Sequence, residues 1–363
     1  MAINRQLLLA LCAPLRHAFC AMELVGDEAK WDAIFASREA ELVASGFQWP
    51  EGPRWTKSKG LLFSDTISGK MYRWDEATKS AVVFLDDAGG CPKANLVEGY
   101  ECAAGQAEPG PNGLSREYPY VKKRKPSHNI AVCQHGARRL AFLDLASMKE
   151  ELIVNKHGRA RLNGPNDVVA TPDALYFTDP YYALLEKRRP ADAQYADDKS
   201  ELGFAGVYRY DLGTKDLELL DSSLARPNGI GIVNGSHLVV SDCCQGHATD
   251  CPAGEARWLV WPFRGDGYLR RGAQVKIVHR DFVKKGCSDG LAFHEASQTL
   301  VASCPGGVCL VDLDAGEVVA KMHLGRSVSN VAFGGGYAWV TADKSLWRVE
   351  LREERRDRRR REL

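Results

Sequence analysis

From Gly46 to Glu350 the chain alternates short apolar runs with polar turns, and the spacing is that of strands rather than helices. The stretch from Arg159 to Tyr182, RARLNGPNDVVATPDALYFTDPYY, shows the pattern most clearly. A turn, Asn163-Gly164-Pro165-Asn166-Asp167, leads into the apolar run Val168-Val169-Ala170. A second turn, Thr171-Pro172-Asp173, leads into Leu175-Tyr176-Phe177-Thr178. Strand, tight turn, strand is a β-meander. The same arrangement recurs at Pro111-Asn112-Gly113-Leu114, Arg226-Pro227-Asn228-Gly229-Ile230, Ser288-Asp289-Gly290-Leu291 and Ser329-Asn330-Val331-Ala332. Each time an Asn or Asp stands immediately before an apolar strand, and Glu51 in Pro50-Glu51-Gly52-Pro53 takes that place in an earlier unit.

Marked from these positions, the text divides into six units of about 40 to 60 residues, most with four strand-like runs. The first runs from Glu51 through LLFSD and KMYRWD, and the third carries LYFTD and GVYRYD. The fourth carries HLVVSD, and the last carries YAWVTAD and SLWRVEL. Four-stranded units at this period predict an all-β chain folded as a six-bladed β-propeller over 46–350. The first and last units are incomplete, which a ring mends by joining both chain ends in shared blades. In such a ring the residue before each first strand sits at the mouth of the central channel. Glu51, Asn112, Asn166, Asn228, Asp289 and Asn330 then converge from across the sequence.

Outside the repeats, residues 1–45 read as a leader, with a short helix expected over Glu28 to Ser45 from Trp31, Ile34, Phe35, Leu42 and Val43. Met1 to Ala21 has Arg5, an apolar core from Leu7 to Leu15 and small residues near Ala21, as in a secretory signal. The interruption at Arg16-His17 and the lack of an acid before Glu23 suit an organelle transit peptide or an uncleaved leader as well. Compartment therefore stays open between cytoplasmic and secreted. Two insertions, Cys91 to Gly110 and Tyr182 to Gly203, are long enough to form a rim or lid. The tail 351–363, with seven arginines and four acids, reads as a solvated charged helix.

Composition narrows the functional classes. A formal net charge of +1 gives no reason to expect nucleic acid, and no apolar run approaches the ~20 residues that span a bilayer. Cys133 and Cys304 lie in apolar runs and read as buried thiols, although Cys304 and Cys309 also flank a turn that a disulfide would close. Cys91–Cys102 and a pair among Cys243, Cys244 and Cys251 are the disulfides expected from the insertions. Cys243, Cys244, His247 and Cys251 have the atoms of a zinc site without a common paired spacing.

The six convergent positions offer only carboxylate and amide oxygens, the ligands of a hard cation. Two carboxylates among neutral amides balance one divalent ion, and loosely spaced ligands from separate blades favour Ca²⁺ over Mg²⁺. Isolated Asn-Gly turns are ordinary; their repetition at equivalent points of successive units is not.

The motifs GFQWPEGPRW, LLFSD, AVCQHGARRL, RLNGPNDVV, LYFTDPYY, GVYRYD, LARPNGIGI, CSDGLAF, SCPGGV and SNVAFGG come in the order and spacing of one family. The chain resembles the senescence-marker-protein/gluconolactonase/luciferin-regenerating-enzyme family, from about Phe35 to Leu351. The resemblance implies a six-bladed propeller with a divalent metal, usually Ca²⁺, at the channel mouth and a sugar lactone as small-molecule substrate. Carried over by motif, the metal ligands are Glu51, Asn166, Asn228 and Asp289. The cysteine-bearing insertions and the basic tail depart from the family pattern. Asp289 is the candidate base, His135 a candidate proton relay or substrate contact, and Asn112 and Asn163 candidate substrate contacts. Asp179 reads as a turn-holding residue. A related esterase or phosphotriesterase, and a non-catalytic calcium-binding propeller, are the competing readings.

Overall fold

The computed structural model describes residues 19–91, 106–122, 125–184, 199–243, 255–270, 273–280 and 287–352. Six antiparallel sheets make the blades of a β-propeller, four built from neighbouring strands of the chain and two that also take strands from the N-terminal segment. Blade 1 comprises Pro50–Thr56, Gly60–Asp65, Lys70–Asp75 and Ser80–Leu85. Blade 2 comprises Pro111–Leu114, Lys125–Gln134, Arg139–Asp144 and Glu150–Val154, with Tyr118–Lys122 added beside the second of these. Blade 3 is Val168–Ala170, Ala174–Asp179, Gly206–Asp211 and Leu217–Asp221. Blade 4 is Pro227–Val233, His237–Asp242, Glu255–Pro262 and Val275–Arg280. Blade 5 is Leu291–His294, Thr299–Cys304, Gly307–Asp312 and Glu317–His323, and blade 6 begins with Val328–Gly334, Tyr337–Ala342 and Ser345–Glu350.

The ring closes through the N-terminal segment. Glu39–Ser45 pairs with Ser345–Glu350 as the fourth strand of blade 6, and Phe19–Ala21 adds a fifth. Glu23–Gly26 extends blade 5 beside Glu317–His323. The helix expected over 28–45 is therefore confined to Glu28–Asp32, and the second half of that span is strand. The reason is tertiary: a three-stranded blade 6 would leave the outer edge of Ser345–Glu350 unpaired, and pairing it outweighs local helix propensity. Arg348 reinforces the closure, donating from Nε to Glu41 at 2.7 Å and from Nη1 to Glu76 at 3.0 Å. Trp31, stacked on Phe35 at a ring-centroid distance of 4.0 Å, plugs the base of blades 5 and 6 among Leu310, Met322, Val340 and Trp347. Trp31→Ala is expected to cost about 3–5 kcal/mol, as for other buried aromatics. Urea unfolding of the variant beside the parent checks this.

The cysteines differ from expectation. Cys304 is not a free thiol but is bonded to Cys309 across a tight turn, with Cα atoms 5.9 Å apart. Cys243 is bonded to Cys287 on the next blade, Cα atoms 5.0 Å apart, rather than to Cys244 or Cys251. That bond removes Cys243 from any zinc site. Cys244, His247, Cys251 and Cys102 lie outside the described residues, as do residues 1–18 of the leader and nearly all of the tail. Cys91 is disulfide-bonded, and Cys133 is a buried free thiol. No helix among the described residues is long and apolar enough to cross a membrane.

Candidate functional site

Every candidate residue of the ring lies at the start of its blade's innermost strand, on one face of the propeller. Glu51, Asn112, Asn228 and Asn330 are already inside their strands, whereas Asn166 and Asp289 stand two residues before theirs. Where the ring residue lies within the strand, the ladder slips in register beside it: between Glu51 and Arg54, Pro227 and Ile230, and Val328 and Asn330. Such irregularities re-aim a side chain out of strict alternation.

Two devices in the repeat bring these positions together. One is the glycine that follows the ring residue in blades 1, 2, 4 and 5. A Cβ on Gly52 would fall 2.4 Å from the Asn112 carbonyl oxygen, and one on Gly229 would fall 2.4 Å from that of Asp289. Only a residue without a side chain lets adjacent blades approach so closely. The other is the Ser/Thr-Asp pair ending the second strand. The hydroxyl reaches forward: Ser64 donates to the Asn112 carbonyl and Thr178 to that of Asn228, each at 2.6 Å, and Ser241 donates to that of Asp289. The aspartate reaches back to the loop before its own ring residue. Asp65 accepts from the amides of Gln48 and Trp49, Asp179 from Asn163 and Gly164, and Asp242 from Arg226.

Asp179 thus holds the turn, at 2.8 and 2.7 Å. Burial pushes its pKa up to about 7, against the pull of these two amides. A carboxylate with a raised folded-state value binds its proton more tightly in the folded than in the unfolded chain. Its contribution to stability therefore grows as pH falls from about 7 towards 4 and is lost as pH rises through 7. Asp179→Asn, compared with the parent in chelator-treated samples, is expected to flatten that slope in unfolding midpoints measured between pH 5 and 8.

At the mouth, Glu51 accepts from its neighbour's amide, Gly52, at 3.0 Å and from Asn330 Nδ2 at 3.2 Å. Asp289 is half-buried, and its carboxyl lies beside that of Glu51. Burial, followed by the Glu51 charge, raises Asp289 well above the carboxylate range, and burial takes Glu51 to about 7. The Asn166 side-chain amide has no hydrogen-bond partner among the described residues, and Asn228 Nδ2 has only a long contact, 3.5 Å, to the Tyr182 hydroxyl.

His135 is fully buried, with Nε2 3.4 Å from Asn112 Nδ2 and Nδ1 3.4 Å from a Glu108 carboxylate oxygen. The Glu108 contact is within ion-pair range but not aligned as a hydrogen bond. His135 therefore stands behind Asn112 rather than at the open surface. Both ends of the Asn163 amide are used inside the protein: Nδ2 donates to the carbonyls of Asp179 and Phe204, and Oδ1 accepts from Ser200.

Three site residues escape the repeat pattern. Glu108 comes from the end of the first insertion and acts electrostatically on both Glu51 and Asp289, so it lies near them. Tyr182 follows the LYFTDP motif. Asp167, beside Asn166, accepts from Ile230 at 3.3 Å on the next blade. Burial lifts it to about 6 while the Arg54 charge pulls it down. No cluster of three or more His, Cys, Asp or Glu with metal-ligand placement occurs among the described residues. The carried-over ligand set has only two such residues, its other members being amides.

The model of the SMP-30/Gluconolactonase/LRE-like region matches residues 49–344, over three quarters of the chain. The chain belongs to this family. A gluconolactonase of Zymomonas mobilis is 28% identical over 333 residues, covering 88% of this chain and 84% of the relative. The solved gluconolactonase of Xanthomonas campestris superposes with a TM-score of 0.69 at 23% identity, covering 94% of this chain and 98% of that one. A regucalcin of Agrobacterium tumefaciens, described as a calcium-binding protein, gives a TM-score of 0.57 at 14% identity, covering 86% and 94%. At these identities the solved structures establish the shared SMP-30/gluconolactonase-type propeller only.

Proposed function

We propose that the protein is a hydrolase that opens sugar lactones, with a divalent cation, Ca²⁺ by preference, held by Glu51, Asn166, Asn228 and Asp289. The observation that carries this reading is the closeness of the Glu51 and Asp289 carboxyls at the mouth. No Lys or Arg bonds either of them among the described residues; Asn330 donates to Glu51, and the carboxylates of Glu108 and Asp167 add further negative charge nearby. Two such carboxyls repel once ionised, and a hard cation is the partner that relieves them. The unpartnered Asn166 amide fits the same role.

A bound cation would polarise the lactone carbonyl and stabilise the charge that develops on its oxygen. The chain's own groups do the rest. Asp289, the most open of the two carboxyls, takes a proton from the water whose oxygen bonds to the carbonyl carbon. As the ring C–O bond breaks, that proton passes to the departing alkoxide, leaving a hydroxy acid. Asn112 presents its amide to the substrate hydroxyls, and His135 with Glu108 behind it fixes the amide's orientation. Asn163 acts through the turn that carries Asn166.

A panel of aldonolactones and aryl esters, assayed with and without chelator, tests the reading. Lactone opening lost on chelation and restored by Ca²⁺ is the expected result. Lactone opening indifferent to chelator would remove the cation, and hydrolysis of esters alone would remove the substrate class.

A further inference from the structure

In blades 1, 3 and 4 an aspartate at the end of the second strand hydrogen-bonds the loop two or three residues before the ring residue. In blade 6 Asp343 does the same for the amide of Ser327, at 3.1 Å. Blade 5 lacks this aspartate. Its second strand ends Ser303-Cys304 where blades 1 and 4 read Ser-Asp, and Cys304 is committed to Cys309. Yet the residue that needs holding there is Asp289.

The loop is held covalently instead. Cys287 stands two residues before Asp289, the place that Trp49 takes before Glu51 and Arg226 before Asn228, and it is bonded to Cys243. Cys243 directly follows Asp242, so the bond ties the Asp289 loop to the strand end whose Ser241 donates to the Asp289 carbonyl. The Asp289 amide donates to Ser303 at 2.6 Å, next to the second disulfide. Both backbone groups of Asp289 are thus held by serines within two residues of a disulfide.

We propose that the Cys243–Cys287 disulfide replaces the missing aspartate of blade 5 and positions Asp289, so that cation binding depends on its being formed. The proposal rests on the reading of Asp289 as a cation ligand, but the positioning itself can be measured without cation or substrate. In full-length Cys243→Ser/Cys287→Ser, hydrogen exchange of the 287–291 segment is expected to rise while that of 163–168 and 226–230 stays as in the parent. Ca²⁺ affinity, read by calorimetry, is expected to fall about 10–100-fold, the usual effect of removing support behind a ligand. Adding Cys304→Asp and Cys309→Ser to that variant restores the aspartate and is expected to recover most of the affinity. If the serine variant does not fold, folded Cys304→Ser/Cys309→Ser is treated with dithiothreitol. The dithiol gives two electrons and two protons to the Cys243–Cys287 bond and closes to its cyclic disulfide, and the same segment is then followed. Unchanged exchange at 287–291, equal loosening of all three segments, or no recovery with Asp at 304 would each overturn the proposal. Absence of lactone turnover in the parent would instead overturn the functional reading and leave the exchange result standing.

Discussion

Asp289→Asn is expected to lower lactone turnover by about 10²–10⁴-fold, roughly 3–5 kcal/mol of barrier, and to keep it low at saturating Ca²⁺. The substitution keeps an oxygen of nearly the same shape and removes charge and basicity. The Glu51 contact survives as a hydrogen bond, so the fold of the mouth should hold. Two effects separate in the titration: weaker Ca²⁺ binding reports the ligand, and the residual deficit at saturation reports the base. His135→Ala gives the contrast. His135 touches Asn112 and Glu108 and none of the four proposed ligands in the hydrogen bonds of the described residues, so Ca²⁺ affinity should stay near the parent's. Its effect should fall on KM if it orients Asn112 toward substrate, and on kcat if it relays a proton. Full recovery of Asp289→Asn turnover with added Ca²⁺ would show that Asp289 is a ligand only.

The second large effect is expected from one added methyl group. In Gly229→Ala the new Cβ would lie 2.4 Å from the Asp289 carbonyl oxygen and 2.8 Å from Gly290 Cα, both backbone atoms. Neither can move without shifting blade 5 against blade 4. Overpacking of this kind typically costs about 1–3 kcal/mol. Here it should also displace Asp289 and weaken Ca²⁺ binding more than Asn112→Ala does. Denaturant unfolding and calorimetry on the two variants check this. Parent-like values for Gly229→Ala would mean that the blades are not locked at this point.

The recurrence of Asn-Gly and Asp-Gly before apolar strands has a physical origin in this contact. In four of the six units the repeat needs a polar side chain at the mouth and, directly after it, a residue without Cβ where the next blade presses in. Both requirements fall on adjacent residues, which is why they survive as a readable dipeptide. The Ser/Thr-Asp pair of LLFSD, LYFTD and HLVVSD is equally local and equally legible, although its two roles appear only once neighbouring blades are in place.

The sequence by itself determined the strand periodicity, the six units and the set of oxygen-bearing side chains at their tips, because each depends on residues close together in the chain. Tertiary structure alone decided what depends on distant partners. Glu39–Ser45 is a strand because Ser345–Glu350 offers it an unpaired edge some 300 residues away, not because of its own composition. Cys287 pairs with Cys243 because blades 4 and 5 are neighbours, a relation that cysteine spacing does not encode. Glu108 reaches His135 from an insertion outside the repeat, and His135 lies buried behind Asn112 rather than exposed. Side-chain burial and the juxtaposition of the Glu51 and Asp289 carboxyls are properties of the closed ring, where loops from separate blades meet.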